Sequence, residues 1–192
     1  MPIAFTAEER TVLTGQLLES TRRFVKEQRA RKVTIKQLTD SVGISKGAFY
    51  LFYPSKEHLF YALLRQMHAE LYGPAMELLE QPKGTPAQQL TCAILEGCRA
   101  LDESGLCRFW EQDAPEILCA IPSEERRAQQ EQEYAVFRRF LAQNKAADIP
   151  EEQAMNALHS LILTVPMRKK LGEDYPQILL WMAQGICAQI FG

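Results

Sequence analysis

The apolar residues of this chain recur at helical spacing almost throughout, with no sustained strand-like alternation. Near the start, Leu13, Leu17 and Phe24 fall on one stripe, and the preceding Thr6–Glu9 segment has the form of a helix-capping box. We therefore predict a first helix from about Ala7 to Gln28 or Arg29. Later candidates are separated by Gly- and Pro-containing breaks and lie near residues 87–103, 106–120, 123–144, 150–170 and 175–190. The pattern predicts an all-α chain of about nine helices.

Between residues 34 and 50 the pattern predicts two short helices joined by a tight turn. Thr34 is a candidate N-cap, and Gly43 ends the first helix because glycine enters the left-handed C-cap conformation without steric cost. Ser45 can cap the second helix, which must be short because Pro54 follows closely. Such a pair is typical of a helix-turn-helix. The residues expected to pack the two helices together are Ile35, Leu38, Val42, Ile44 and Phe49.

A fourth helix is predicted after Ser55, its candidate N-cap. We expect Gly73-Pro74 to break or bend the chain after this helix. Its apolar stripe consists of Leu59, Phe60, Leu63, Leu64, Met67 and Leu71.

Charge is divided unevenly along the chain. The net charge is −2, but residues 1–68 contain eleven Lys and Arg against six Asp and Glu, a balance of +5, and residues 69–192 balance at −7. A basic first third favours contact with a polyanion, although charge alone fits two solvated surfaces equally well. The 46% hydrophobic content excludes wholesale disorder. We expect no membrane span and no secretory signal, and therefore a cytoplasmic protein.

The segment from Thr34 to Leu64 resembles the DNA-binding segment of the tetracycline-repressor-like (TetR) family of bacterial regulators. The features that match at fixed spacing are Thr34, Val42-Gly43-Ile44-Ser45, Lys46-Gly47, Tyr50, and Ser55-Lys56-Glu57 followed by Leu59-Phe60. The resemblance implies a helix-turn-helix DNA-binding domain in residues 1–54, a connecting helix in 55–72, and a larger helical ligand-binding and dimerisation domain in 73–192. It implies a sequence-specific transcriptional regulator, expected to be a dimeric repressor that a small-molecule inducer releases from double-stranded operator DNA.

The resemblance also implies which residues contact the operator. At the helix N-terminus, Thr34 could bind a phosphate, Lys46 could reach a base edge or a phosphate, and the Tyr50 hydroxyl could bind the DNA backbone. Alternatively, the lysines are solvated, Thr34 and Ser45 are only caps, and Tyr50 is a core aromatic with an exposed tip. The full candidate set is Thr34, Lys36, Gln37, Ser45, Lys46, Gly47, Tyr50 and Lys56.

One position departs from the family pattern. Many members carry His or Tyr two residues after the motif tyrosine, whereas this chain has Phe52 there, followed by Tyr53. Because a phenylalanine ring cannot donate a hydrogen bond to a phosphate, we expect that contact to be lost or moved.

In the C-terminal domain the resemblance implies a homodimer interface and an inducer site. Both candidate sets could instead be plain core within one chain. The interface candidates, at helical spacing, are Leu158, Leu161, Ile162, Ile178, Trp181, Met182, Gly185 and Ile186. The ligand-binding candidates combine apolar surface with a few polar groups and are Phe109, Trp110, Tyr134, Phe137, Met155, His159 and Met167.

Five cysteines without a C-x-x-C pair favour reduced thiols, and their spacing matches no zinc pattern, so we expect no metal and no cofactor. A regulator with constitutive or thiol-dependent control remains the alternative to small-molecule control. The sequence contains no G-x-S-x-G, phosphate-binding loop or dinucleotide fingerprint, so we do not expect an enzyme. The cysteines are Cys92, Cys98, Cys107, Cys119 and Cys187.

Overall fold

The computed structural model describes residues 5–81, 83–144 and 149–192. Every regular element within these ranges is helical, which confirms the predicted all-α class. In chain order the helices are α1 (Ala7–Glu27), α2 (Ile35–Val42), α3 (Lys46–Phe49), α4 (Lys56–Glu80), α5 (Pro86–Glu103), α6 (Cys107–Gln112), α7 (Ala114–Ala120), α8 (Ser123–Glu133), α9 (Ala135–Asn144), α10 (Glu151–Ile162), α11 (Arg168–Leu171) and α12 (Tyr175–Phe191). Two short 3-10 turns span Ala30–Lys32 and Val165–Met167.

The chain divides into two compact units, and neither is continuous in sequence. Unit 1 comprises Met1–Met67 and Arg108–Arg126, and unit 2 comprises His68–Cys107 and Arg127–Gly192. The first division falls inside α4, so one helix contributes side chains to both cores. No helix in the described ranges is both long and apolar enough to cross a membrane.

Helix α1 begins and ends close to the predicted residues. Its start is fixed by two reciprocal hydrogen bonds between Thr6 and Glu9. The Thr6 hydroxyl accepts a hydrogen bond from the Glu9 amide at 3.1 Å, and the Glu9 carboxylate accepts one from the Thr6 amide at 2.8 Å. This capping box satisfies two amides that the helix itself leaves without partners.

The core of unit 1 is built from apolar side chains of α1, α2, α3, the first part of α4, α6 and α7. The predicted stripe of α4 is buried, and Phe60 meets Phe109 of α6 with ring centroids 6.5 Å apart. Complete burial of each such side chain contributes about 1.5–3 kcal/mol relative to exposure. The completely or almost completely buried residues of this core include Leu17, Val25, Leu38, Phe49, Leu59, Phe60, Leu63, Met67 and Phe109.

Helix α4 does not break at Gly73-Pro74, where a break or bend was predicted. Pro74 lies inside the helix, which continues to Glu80. An interior proline removes one backbone hydrogen bond, but the apolar stripe that includes Leu71 continues beyond the proline through the buried Ala75 and Leu79. Burial of these side chains in unit 2 offsets the local cost.

Several of the longer predicted helices are divided, so the described helices are shorter and more numerous than the predicted set of about nine. The 106–120 candidate becomes α6 and α7, which meet at Asp113 and Ala114, with Pro115 in the first turn of α7. The 150–170 candidate is interrupted by the turn at Val165–Met167, which contains Pro166. Both divisions lie beside a proline because its ring fits the first turn of a helix and disrupts the interior.

The core of unit 2 is formed by α5, α10 and α12, which pack against one another. One stripe of α12 is buried throughout its length, which fixes the rotation of this helix about its axis. That stripe consists of Tyr175, Leu179, Ala183, Cys187 and Ile190.

Candidate nucleic-acid interface and internal cavity

Helices α2 and α3 are held at their ends by side-chain caps. The Thr34 hydroxyl accepts a hydrogen bond from the Gln37 amide at 3.2 Å, and the Gln37 side-chain oxygen accepts one from the Thr34 amide at 2.8 Å. Gly43 ends α2 with φ of 71°, in the left-handed region. The Ser45 hydroxyl accepts a hydrogen bond from the Ala48 amide at 3.1 Å and so caps α3. The predicted caps of this helix-turn-helix are all present.

Most of the candidate DNA-contact residues lie on the surface of unit 1. Lys56 is half-buried, and its ammonium group donates to the Val33 carbonyl oxygen at 3.1 Å. Lys36 lies 2.6 Å from the Asp40 carboxylate, which offsets its charge locally. The exposed members of the set are Thr34, Lys36, Gln37, Ser45, Lys46, Gly47 and Tyr50.

Tyr50 lies partly against the core of unit 1 and partly in solvent. Its side chain is 47% exposed, and its ring packs edge-on against the buried Phe49 with centroids 5.5 Å apart. One side of the ring is thereby fixed by the core while the residue stays accessible. Together with Lys46 and the exposed backbone at Gly47, it forms a compact group of donors at α3.

The departure at Phe52 has a structural explanation that the sequence did not indicate. The Phe52 ring packs against Phe5 with centroids 5.4 Å apart, and the Arg10 guanidinium lies 5.0 Å from the centroid of the Phe52 ring. The same guanidinium donates a hydrogen bond to the Leu51 carbonyl oxygen at 2.8 Å. A cation from α1 is therefore held at the position where the family pattern expects a polar side chain. Arg10 was missed because nothing local in the sequence links it to the turn after α3.

The segment between α6 and α7 fixes the end of α1 within unit 1. Asp113 is 1% exposed and accepts hydrogen bonds from Arg29 Nε at 2.7 Å and from the Ala30 amide at 3.2 Å. This contact raises the pKa of Arg29 above its usual value. Arg108 also donates to the Val25 carbonyl oxygen at 2.8 Å. These bonds position the backbone that leads into α2. No local pattern in the sequence indicates them, because the partners lie about eighty residues apart.

Unit 2 contains an apolar cavity of about 60 Å³. The candidate ligand residues that line it are Tyr134, Phe137, Met155 and His159. The remaining lining comes from α4, α5 and α10, including Tyr72, Met76, Ala93, Gly97 and Leu158.

Three candidate ligand residues do not line this cavity. Phe109 is fully buried in the core of unit 1 against Phe60, and Trp110 lies beside it in α6 of the same unit. Met167 lies in the 3-10 turn after α10. Aromatic and methionine residues at helical spacing fit a core as well as a pocket, and sequence spacing cannot distinguish the two.

One histidine, His159, lines the cavity, and a second, His68, packs against two of its lining tyrosines. His68 stacks on Tyr72 with centroids 4.2 Å apart and meets Tyr134 edge-on at 5.8 Å. Burial, with a smaller contribution from the charge of His159, lowers the pKa of His68 to about 4. Burial also lowers the pKa of His159. Desolvation disfavours the protonated form, so His68 is uncharged at neutral pH.

The candidate interface residues fall into two groups. Leu158, Leu161 and Ile162 of α10 are buried inside unit 2, which leaves their side chains unavailable to a second copy in this structure. The candidates on α12 lie opposite its buried stripe. Trp181 is 63% exposed and Gly185 is exposed. The half-buried members of this face are Ile178, Met182 and Ile186.

The cysteines differ in their access to solvent. Cys98 and Cys187 are buried, and burial raises the pKa of Cys98 to about 12, which suppresses its thiolate. Cys92 and Cys119 are exposed, so thiol-dependent control would have to act through these two or the half-buried Cys107. Over the described part of the chain, no group of three or more His, Cys, Asp or Glu side chains is arranged to hold a metal ion.

Comparison with known proteins finds a family match for the helix-turn-helix segment. Residues 17–63 match the model of the bacterial regulatory proteins of the tetR family. No curated protein matches the sequence.

Solved structures show the same fold over nearly the whole chain. The transcriptional regulator FadR from Bacillus subtilis, in complex with stearoyl-CoA, has a TM-score of 0.64 at 13% identity, covering 93% of this chain and 97% of that one. A TetR/AcrR-family regulator from Thermobifida fusca has a TM-score of 0.61 at 15% identity, covering 91% and 95%. The ketosteroid transcriptional regulator KstR2 of Mycobacterium tuberculosis has a TM-score of 0.57 at 19% identity, covering 93% and 95%. The segment that contains the helix-turn-helix therefore matches the tetR-family model, and the chain as a whole shares its fold with solved transcriptional regulators, one of them of the TetR/AcrR family.

Proposed function

We propose that the protein is a dimeric repressor that binds operator DNA through α2 and α3 and leaves it when a small molecule enters the unit 2 cavity. The observation that carries the proposal is the exposed group Ser45, Lys46, Gly47 and Tyr50 on a capped helix inside the segment that matches the family. Exposed donors on a rigid helix are what groove and phosphate recognition requires.

Within this interface the residues have different roles. Lys46 and the backbone at Gly47 approach base edges or phosphates, Thr34 and Tyr50 bind phosphates, and Arg10 supplies the charge that Phe52 cannot. Lys56 holds the loop before α2 through its bond to the Val33 carbonyl oxygen. We include Arg10 in the interface because a guanidinium has five N–H donors and the hydrogen bond to the Leu51 carbonyl oxygen uses one of them.

Dimerisation is proposed through the exposed face of α12. Trp181 is a large apolar side chain left in solvent beside the half-buried Met182 and Ile186. Such faces mark interaction sites, and a twofold-related copy would present the same residues to one another. In a helix-turn-helix dimer the two recognition helices would be spaced about 34–36 Å apart, one turn of DNA.

The unit 2 cavity is the proposed inducer site. It is enclosed by apolar side chains with a few polar groups, as small-molecule sites are. Helix α4 carries Lys56 at its first turn and the cavity residues Tyr72 and Met76 near its other end. A ligand that displaces this end of α4 would therefore act on an element that also belongs to the DNA-binding unit.

The test is fluorescence-anisotropy binding to DNA from the region upstream of the protein's own gene, with a salt titration. We expect selective binding whose log affinity falls linearly with log salt, because phosphate contacts release counterions. The K46A/Y50A double variant should bind at least about 30-fold more weakly, because it loses two contacts of about 1–3 kcal/mol each. The control K170A removes an exposed lysine of α11 in unit 2 and should bind like the parent. Equal affinity of K46A/Y50A and K170A would contradict the assigned interface.

A further inference from the structure

The walls of the unit 2 cavity restrict the chemistry of what can enter it. No Lys, Arg, Asp or Glu is among its lining residues, as far as the described side chains extend. The lining residues that carry polar side-chain groups are Tyr72, Tyr134 and His159. All three are neutral hydrogen-bonding groups in their ordinary state at neutral pH, and burial keeps the pKa of His159 low.

The size of the cavity gives a second restriction. Room of about 60 Å³ for water centres, extended by a water radius to the walls, accommodates a molecule on the order of ten non-hydrogen atoms. Met76 and Met155 lie in the wall, and their unbranched side chains can adjust to a somewhat larger guest.

Charge would be excluded by desolvation. An ionised carboxylate or ammonium moved into this lining would lose its water without gaining an oppositely charged partner, which costs far more than burying a hydroxyl that finds a hydrogen bond. The two nearby histidines would not compensate a carboxylate, since protonating either is itself opposed by burial.

We propose that the cavity selects an uncharged, largely hydrocarbon ligand of about ten non-hydrogen atoms, with one hydroxyl or carbonyl group bound by Tyr72, Tyr134 or His159. This inference rests on the proposed function, since it names the class of inducer for that site.

The test uses three probes with the same hydrocarbon chain: 1-octanol, octanoate and octylammonium. Binding to the full chain is measured by calorimetric titration at pH 7. We expect 1-octanol to bind and both ions to bind at least about 100-fold more weakly, because of the unpaired charge. Comparable binding of either ion, or binding of none of the three probes, would overturn the inference.

Two variants locate the binding. A93L adds three carbons to a buried cavity-lining residue of α5 and should reduce 1-octanol affinity at least tenfold. A100L makes the same change on the same helix at a residue that does not line the cavity, and it should bind like the parent. Should A93L fail to fold, G97A replaces it, because a Cβ at Gly97 meets its nearest atom, the Leu71 carbonyl oxygen, only at 4.0 Å. Unchanged 1-octanol affinity in the folded cavity variant would place the ligand elsewhere and overturn the inference.

A DNA-release measurement separates this inference from the proposed function. If 1-octanol binds in the cavity but leaves operator affinity unchanged, the ligand class stands and small-molecule release fails. If octanoate binds the cavity and releases the DNA as well as 1-octanol does, release stands and the ligand class fails.

Discussion

Truncating Phe109 tests whether this residue belongs to the core of unit 1, where the structure places it, or to a ligand site, as the sequence pattern predicts. The side chain is 0% exposed and packs edge-on against Phe60. Replacing a buried Phe with Ala costs about 3–5 kcal/mol through lost transfer energy and the cavity left behind. The lost aromatic pair accounts for about 1 kcal/mol of this. For a chain of this length the change corresponds to a fall in Tm of about 6–20 °C.

The assay is urea unfolding followed by circular dichroism, with operator binding measured at a temperature where the variant is folded. F109A should lose stability but keep operator affinity within a few-fold. Y50A provides the opposite case, because its half-exposed ring contributes little to stability while its hydroxyl lies in the proposed interface. We expect Y50A to change stability by less than about 1 kcal/mol and to weaken DNA binding clearly.

Two results would refute this reasoning. A loss of less than about 1 kcal/mol in F109A would mean that the ring is not a core element. Phe109 does not line the unit 2 cavity in this structure, so F109A should not change 1-octanol binding directly. Weakened 1-octanol binding in F109A without a loss of stability would therefore assign Phe109 to the ligand site.

Three further predictions address the turn, the added cation and the buried histidine. G43A should destabilise the protein by about 1–2 kcal/mol in urea unfolding, because φ is 71° at this residue. The control G15A lies inside α1 and should stabilise the protein by about 0.5–1 kcal/mol. A stability change of the same sign in both variants would contradict the left-handed turn at Gly43. R10A should weaken operator binding uniformly across operator variants and lower the slope of log affinity against log salt by about 0.9. R23A removes an exposed arginine later on α1 and should change neither the affinity nor the slope. Equal slopes for the two variants would exclude Arg10 from the interface. His68 has a pKa of about 4 in the folded state and about 6.5 in the unfolded state, so the unfolded state binds the proton first as the pH falls. The free energy of unfolding should therefore fall by roughly 3 kcal/mol as the pH drops through this window. Urea midpoints at pH 7 and pH 4.5 measure this loss, and H68F should lose correspondingly less.

The local features of the fold could be predicted from the sequence because their causes are local. The caps at Thr6, Thr34 and Ser45 and the turn at Gly43 depend on residues within four positions of one another. The course of α4 through Pro74 could not be predicted, because the helix is continued by burial of later side chains rather than by local propensity.

The candidate site was predictable to a different extent in each unit. The exposed residues of α2 and α3 belong to a short motif with fixed spacing, so the pattern alone is enough to propose them as DNA contacts. The cavity needed tertiary structure: Tyr134 and His159 line it while Phe109 and Met167 do not, and all four have the same kind of sequence setting. Arg10 and Asp113 act through partners far along the chain, and a single sequence carries no signal of such pairs.

The discontinuity of unit 1 has a consequence for dissecting or recombining this regulator. An isolated fragment ending at Met67 would lack residues 108–126 and with them the side chain that covers Phe60 and the carboxylate that holds Arg29. A chimera made by a single crossover within α4 would inherit the same defect, since Phe60 would meet a foreign side chain. A DNA-reading half transplanted onto another sensor must therefore carry two pieces of this chain, with three crossovers: one in α4 and one at each end of residues 108–126.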